Sequence, residues 1–196
     1  KVPSAGHWMR QPDLAKSLDV LARGGAEAFY RGPFARKLVQ GVQRLGGLWT
    51  EDDRAGYRVV EREPIVANYQ GVRIVSAPPP SSGGIWLASV LNILSGYDLA
   101  SLDAATRKHL VLEAMRRAHR DRAQYLGDPA FTEVPVALLT SPEYAAGLRA
   151  SIRPDRATPS DMLPDYAGTE RQGQHTTHFS IIDADGNRVA ASLTLN

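Results

Sequence analysis

The sequence predicts an α+β fold, and three observations carry the prediction. Apolar residues recur at helical spacing in several stretches. Two pairs of strand-like runs are each joined by a short turn signal. These helical and strand-like stretches follow one another along a chain of one domain's length, which is the pattern of a mixed fold.

The first ten residues read as an irregular lead-in. Gln11-Pro12-Asp13 then opens a helix whose apolar face is Leu14, Ala15, Leu18, Leu21 and Ala22, with Pro12 suited to a first turn. Gly24-Gly25 is a stop signal. After the short segment Ala26 to Tyr30, a second helix is expected from Pro33 to Leu45, burying Phe34, Leu38, Val42 and Leu45 and ending at Gly46-Gly47. Thr50-Glu51-Asp52-Asp53 can cap one short helical turn.

The pattern then changes to strands. Tyr57 to Glu63, Ile65 to Tyr69 and Val72 to Ser76 are the expected strands, with Gln70-Gly71 as the turn between the last two. Pro78, Pro79 and Pro80 predict an extended, rigid stretch. Ser81-Ser82-Gly83-Gly84 opens a helix, Ile85 to Leu94, that is apolar on most sides and so expected to be buried. The serines are read as caps and the glycines as sites of close packing. No Gly-Lys-Ser/Thr follows, so this is not a phosphate loop.

Thr106 to Gln124 is the longest expected helix. Leu110, Ala114 and Ala118 form its apolar stripe, and Arg107, Arg116, Arg117 and Arg120 are assigned to its wetter side. The arginines at 116, 117, 120 and 122, with Glu113 and Asp121, read as a solvated charged face. Gly127-Asp128-Pro129 ends that helix, and Ser141 to Leu148 predicts another. Ser151 to Gln174 is rich in Pro, Asp, Ser, Gly, Arg and Gln, which predicts a mobile linker. Thr177 to Asp183 and Arg188 to Thr194 are strands joined by Asp185-Gly186-Asn187, a strong hairpin signal.

Composition excludes several classes. The chain has 196 residues, 43% of them hydrophobic, enough for a real core. Lys plus Arg number 23 against 21 acidic residues, a net charge of +2, with no basic stripe of the kind nucleic acid selects. The absence of cysteine removes disulfides, thiolate nucleophiles and cysteine-bound metals. No apolar run is long enough for a membrane span. The amino-terminal residues carry no signal-peptide pattern. The second strand of the last hairpin runs into Asn196, so the sequence reads as a segment cut at both ends.

The chemistry concentrates at His175-Thr176-Thr177-His178, where a polar stretch meets a strand. A threonine acts as a nucleophile when a base stands beside its hydroxyl. An amino-terminal threonine supplies that base through its own α-amine, whose ordinary pKa is near 8. For Thr176 this requires the 175–176 peptide bond to be cut. On the residues alone, a threonine here is usually just a good strand former. His175 and His178 fall on opposite faces of a strand and have no third ligand nearby, so no metal site is assigned. His109 and His119 read as surface or core-edge residues.

Residues 176 to 187, Thr-Thr-His-Phe-Ser-Ile-Ile-Asp-Ala-Asp-Gly-Asn, resemble the start of the small subunit of gamma-glutamyltranspeptidases. Val189 to Asn196 resembles the strand that follows. The resemblance extends to Gly25 through Gly32, to Gly46-Gly47-Leu48 with Thr50, and to Tyr69 through Gly71. It includes Pro78 through Gly84 and Tyr125 through Pro129. These blocks stand in the family's order and span nearly the whole chain.

The resemblance implies an N-terminal nucleophile hydrolase fold, four-layer αββα, truncated here. It implies that residues 1–150 are the later part of a large subunit. Residues 151–175 would be a flexible linker ending at a processing site, and 176–196 the start of a small subunit. It further implies self-cleavage between His175 and Thr176, with Thr176 as the nucleophile. Thr194 would orient that nucleophile, and Asn196 would contact the glutamyl head group of the substrate. The implied donors are glutathione and other gamma-glutamyl amides. The implied acceptors are amino acids, dipeptides or water, with no cofactor and no metal.

The partners implied are the two subunits of one precursor, with no nucleic acid and no membrane span, and the location is periplasmic or secreted in a bacterium. The family's carboxylate-gripping arginine would lie upstream of residue 1. Its acidic residue for the α-amine, its serine pair and its oxyanion glycines would lie downstream of Asn196. The isolated chain is therefore expected to be inactive, and to form a dimer or exchange elements with another copy. The alternatives are a related acylase acting on β-lactam side chains and a non-enzymatic scaffold or peptide-binding relative.

Overall fold

The computed structural model describes residues 3–163 and 175–195, with only the backbone of residues 175, 176, 194 and 195. The chain divides into two compact units, Lys1–Glu61 and Arg62–Asn196.

The first unit holds α1 (Pro12–Tyr30), α2 (Gly32–Arg44) and α3 (Glu51–Gly56). The helical run breaks at Gly25, within the expected Gly24-Gly25 stop, so α1 is two helical stretches joined at a kink. Gly25 takes φ 58° and ψ −152°, which kinks the chain, and helical turns resume through Tyr30. Only glycine adopts that conformation without strain. The buried face of α2 centres on Ala35 and Val39, flanked by half-buried Phe34, Leu38 and Val42. Leu45 was expected in this stripe but is 91% exposed. It follows the last helical residue, where the chain turns through Gly46 at φ 84° and leaves the helical face.

A reciprocal capping box starts α3. Thr50 Oγ1 accepts from the Asp53 N–H at 3.0 Å, and Asp53 Oδ2 accepts from the Thr50 N–H at 2.8 Å. Arg54 ties α3 back to the end of α1, donating to the Phe29 carbonyl with its guanidinium 4.3 Å from the Phe29 ring. The strand expected at Tyr57 to Glu63 is absent. Those residues pair with no other strand among the described residues, and Val59 and Val60 are exposed. A β-branched run alone does not make a strand without a ladder to join.

The second unit begins with the hairpin β1 (Ile65–Tyr69) and β2 (Val72–Ser76), antiparallel with Tyr69 opposite Val72. Gln70 and Gly71 both have positive φ, 48° and 80°, as a two-residue turn of this twist requires. The proline run bends instead of extending. The Ser81 N–H, the first backbone donor after three prolines, closes on the Pro78 carbonyl at 3.1 Å.

Helix α4 (Gly83–Leu94) is the centre of the unit and is buried around most of its circumference. A Cβ at Gly84 would lie 2.4 Å from the Ala77 carbonyl oxygen and 3.2 Å from Ile65, so glycine permits this approach of helix to hairpin. Ser82 does not cap the helix. Its backbone is helical and its hydroxyl instead accepts from Arg122 Nε at 3.0 Å.

Helix α5 (Ala104–Tyr125) is capped by Asp103, whose Oδ1 accepts from the Ala105 and Thr106 N–H groups. The short α6 (Val136–Leu139), which the sequence reading did not anticipate, buries Leu139; α7 (Pro142–Ala150) begins at Ser141, whose hydroxyl accepts from the Tyr144 N–H. One core joins Val90, Ile93 and Leu94 of α4 to Leu110, Ala114 and Ala118 of α5, Ala145 of α7 and Ile152. A second joins Ile65, Ile85, Ala88 and Leu139. Arg149 of α7 donates to the Asn92 and Ile93 carbonyls, supplying positive charge to the end of α4, which has no basic residue in its last turn.

Residues 151–163, the first part of the expected linker, are mostly exposed but held to the unit at a few points. Ile152 is 6% and Leu163 8% exposed, and a 3₁₀ turn covers Ser160–Met162. We call this stretch the strap. The remaining residues of the expected linker, 164–174, lie outside the described residues, as does Asn196. Among the described residues, no helix is long and apolar enough to cross a membrane.

Candidate active site

The last element is the hairpin of β3 (His175–Ile182) and β4 (Arg188–Leu195). Its strands alternate in sequence, as a two-faced ribbon requires. One face takes Thr176, His178 and Ser180 with Thr194, Ser192 and Ala190. The other takes Thr177, Phe179 and Ile181 with Leu193, Ala191 and Val189. The first is mainly polar and the second mainly apolar.

Register is set at the turn. Asp183 Oδ1 accepts from the N–H groups of Asp185 and Asn187 at 3.0 and 2.8 Å, and its Oδ2 from Asn187 Nδ2 at 2.8 Å. The Asn187 side-chain bond and then its backbone bond lead in holding the Asp183 carboxyl below the usual range. Gly186, at φ 81°, completes the reversal. From this turn the ladder runs Ile182 opposite Arg188 to His175 opposite Leu195, and it sets Thr176 opposite Thr194. A slip of one residue would break that pairing and move one strand's residues to the opposite face.

Two rungs inward, on the same face, His178 is held between two hydroxyls. Its Nδ1 is 2.8 Å from Ser192 Oγ and its Nε2 3.3 Å from Ser180 Oγ. His175 and His178 stand on opposite faces of β3 by the strand's alternation. Among the described residues, no group of three His, Asp or Glu is placed to hold a metal ion.

Upstream, the strap is fastened to α5 by a buried charged node. Glu113 and Arg117 are 2% and 1% exposed, not on a solvated face as the sequence reading had them. Arg117 Nη1 donates to Glu113 Oε2 at 2.7 Å and to the Glu113 carbonyl at 3.1 Å. Its Nε donates to Ser151 Oγ at 2.9 Å, and its Nη2 to the Ser151 carbonyl at 3.0 Å and Thr158 Oγ1 at 3.1 Å. All of its guanidinium donors are thus used.

Glu113 is equally saturated. Its Oε1 accepts from Arg116 Nη1 at 2.8 Å and the Thr158 N–H at 3.2 Å, and its Oε2 also accepts from the Thr158 hydroxyl. Burial pushes its carboxyl up, but the bonds from Thr158, Arg117 and Arg116 outweigh that and hold it at about 2. Arg116 adds bonds to the Thr158 carbonyl at 2.7 Å and Ser160 Oγ at 3.2 Å. His109 Nε2 donates to the Arg153 carbonyl at 2.8 Å.

Asp121, 3% exposed, is the third charged residue on this buried stripe, and Arg120 donates to it at 3.1 Å. Burial raises its carboxyl pKa, and burial with the Asp121 charge drives the Tyr144 phenol up to about 12.

The signal for this node was present in the sequence. Residues 110, 113, 114, 117, 118 and 121 fall on one helical face at spacings of three and four, so Glu113, Arg117 and Asp121 share the stripe of Leu110, Ala114 and Ala118.

Comparison with known proteins supplies the family. The gamma-glutamyltranspeptidase family model matches residues 1–196. The glutathione hydrolase proenzyme of Escherichia coli K12 is 40% identical over 193 residues, covering 97% of this chain and 33% of that protein. The Acylase ACY 1 proenzyme of Pseudomonas sp. strain SE83 is 41% identical over 193 residues, covering 97% of this chain and 34% of that protein. The crystal structure of Helicobacter pylori gamma-glutamyltranspeptidase superposes with a TM-score of 0.77 at 38% identity, covering 87% of this chain and 49% of that one. The chain therefore spans about a third of the length of the curated relatives it matches. Its α+β architecture, antiparallel strand pairs flanked by helices, is the N-terminal nucleophile hydrolase type seen in the solved gamma-glutamyltranspeptidases. With the whole sequence matched and the fold shared, this chain belongs to the gamma-glutamyltranspeptidase family.

Proposed function

We propose that the full-length protein transfers gamma-glutamyl groups from glutathione or other gamma-glutamyl amides to amino acids, dipeptides or water. The observation that carries this reading is the hairpin register pairing Thr176 with Thr194, in a chain matched throughout by the family.

In the first stage the Thr176 hydroxyl attacks the His175 carbonyl carbon. The peptide C–N bond breaks as the acyl group moves from nitrogen to oxygen. Water then hydrolyses the ester, leaving a carboxylate on His175 and a free α-amine on Thr176. One hydroxyl thus serves twice, first on its own backbone and then on substrate.

In the second stage the α-amine takes the hydroxyl proton as Thr176 attacks the gamma-carbonyl of the donor. The leaving amine departs with a proton and a gamma-glutamyl ester remains on Thr176. An acceptor amine or water attacks that ester and restores the hydroxyl. The Thr194 hydroxyl orients the nucleophile, and the Asn196 amide contacts the glutamyl head group. The α-amine's ordinary pKa near 8 lets it act as a base around neutral pH.

The 196-residue chain is proposed to be inactive by itself, and the full-length protein to act in the periplasm or outside a bacterial cell. The division into a large-subunit portion over 1–150, a connector over 151–175 and the start of a small subunit from 176 belongs to the same proposal. The likeness to an acylase proenzyme supports a second reading, hydrolysis of an amide other than a gamma-glutamyl one. Assay of the full-length protein with a chromogenic gamma-glutamyl anilide, against a matched acyl anilide, separates the two. Release from the gamma-glutamyl substrate that Thr176→Ala abolishes supports transfer. Release from the acyl substrate alone establishes the acylase.

A further inference from the structure

We propose that Glu113, Arg117 and Thr158 are positioning residues for self-cleavage, fixing the strap on α5 and so setting how the chain enters the His175–Thr176 bond. The inference rests on the self-cleavage proposed above.

The strap has the composition of a linker and the fastening of a core element. Its backbone or side chains are gripped at Ser151, Arg153, Thr158 and Ser160, and Ile152 and Leu163 are buried. Its principal fastening is a set of hydrogen bonds between Ser151 and Thr158 and the buried Glu113–Arg117 ion pair of α5. Two apolar side chains can slide across one another at little cost. A buried ion pair whose donors and acceptors are all satisfied has one good geometry, and any shift leaves a desolvated group unpaired.

Thr158 closes this arrangement. Its hydroxyl donates to Glu113 Oε2 and accepts from Arg117 Nη2, while its N–H donates to Glu113 Oε1. The residue that locks the strap thus belongs to the strap, and its two partners belong to a helix of the core. Self-cleavage needs a hydroxyl and a carbonyl in attack geometry, and a misplacement of about 1 Å at a distance can cost such a reaction on the order of a hundredfold. The node is the last charged anchor among the described residues before His175.

The test uses the full-length precursor, freshly translated, with the appearance of a Thr176 amino terminus followed over time. Thr158→Val removes one hydroxyl and preserves shape. It is expected to slow cleavage on the order of ten- to a hundredfold. Thr158→Ser restores the hydroxyl and is expected to cleave close to the wild-type rate. Ile85→Val, in the second core, which holds no strap residue, serves as a control for lost stability and is expected to cleave at the wild-type rate. Cleavage of Thr158→Val at the wild-type rate, or slowed no more than in Ile85→Val, overturns the proposal. A wild-type precursor that never yields a Thr176 terminus overturns self-cleavage itself, and this inference with it.

Discussion

Replacing Glu113 with alanine is expected to cost the chain about 3–5 kcal/mol, as removing one partner of a buried ion pair does. The structure explains why the cost lies in that range. Arg117 is 1% exposed and would keep its bonds to Ser151, Thr158 and the residue-113 carbonyl, but its charge would have no counterion. The Thr158 hydroxyl and N–H would lose their acceptor as well. For a chain of this size each kcal/mol moves Tm by about 2–4 °C, so a fall of roughly 6–20 °C is expected. Thermal unfolding followed by circular dichroism reads it directly. Replacing Glu113 and Arg117 together with methionine removes both charges, and is expected to recover most of the loss. A loss below about 1 kcal/mol for Glu113→Ala, the range of exposed pairs, would refute the reasoning.

The same node has a pH signature. With its carboxyl held at about 2 in the folded chain and an ordinary value of 4.5 when unfolded, Glu113 contributes fully above pH 4.5. That contribution is lost as pH falls towards 2, so acid unfolding should be steeper in the wild type than in Glu113→Gln. Thr50→Ala removes half of the α3 capping box and is expected to cost about 1 kcal/mol, with faster amide exchange confined to Glu51–Gly56. Gly84→Ala drives a Cβ into the Ala77 carbonyl and is expected to destabilise by about 1–3 kcal/mol, measured by denaturant unfolding. The apolar face of the last hairpin, with Phe179, Ile181, Val189 and Leu193 between 42% and 58% exposed, is expected to make the isolated chain self-associate. Sedimentation velocity tests this, and a strict monomer across concentrations would contradict it.

Local rules made much of the fold legible. The Asp185-Gly186-Asn187 turn, the Gln70-Gly71 turn and the glycine-opened apolar helix each declare themselves within a few residues, because turn chemistry and periodicity are local properties. What failed was decided by distant partners. Tyr57 to Glu63 has strand propensity but, among the described residues, no strand to pair with. Residues 151–163 have linker composition, yet α5 supplies the anchors that composition cannot reveal. Glu113 and Arg117 were assigned to water by residue type, although their spacing put them on the buried stripe; a charge is buried where its full set of partners exists, and those partners lie some forty residues away. For the site, the hairpin that pairs Thr176 with Thr194 was readable, since register follows from the turn. The chemistry came from resemblance, because a strand threonine is ordinarily only a strand former.

The most direct test of the account is the intact mass of the purified full-length protein, with amino-terminal sequencing of each piece. The account predicts two pieces, the smaller beginning Thr176-Thr177-His178, and a Thr176→Ala variant that stays whole. A wild-type protein that remains a single chain across 175–176 under folding conditions would contradict it.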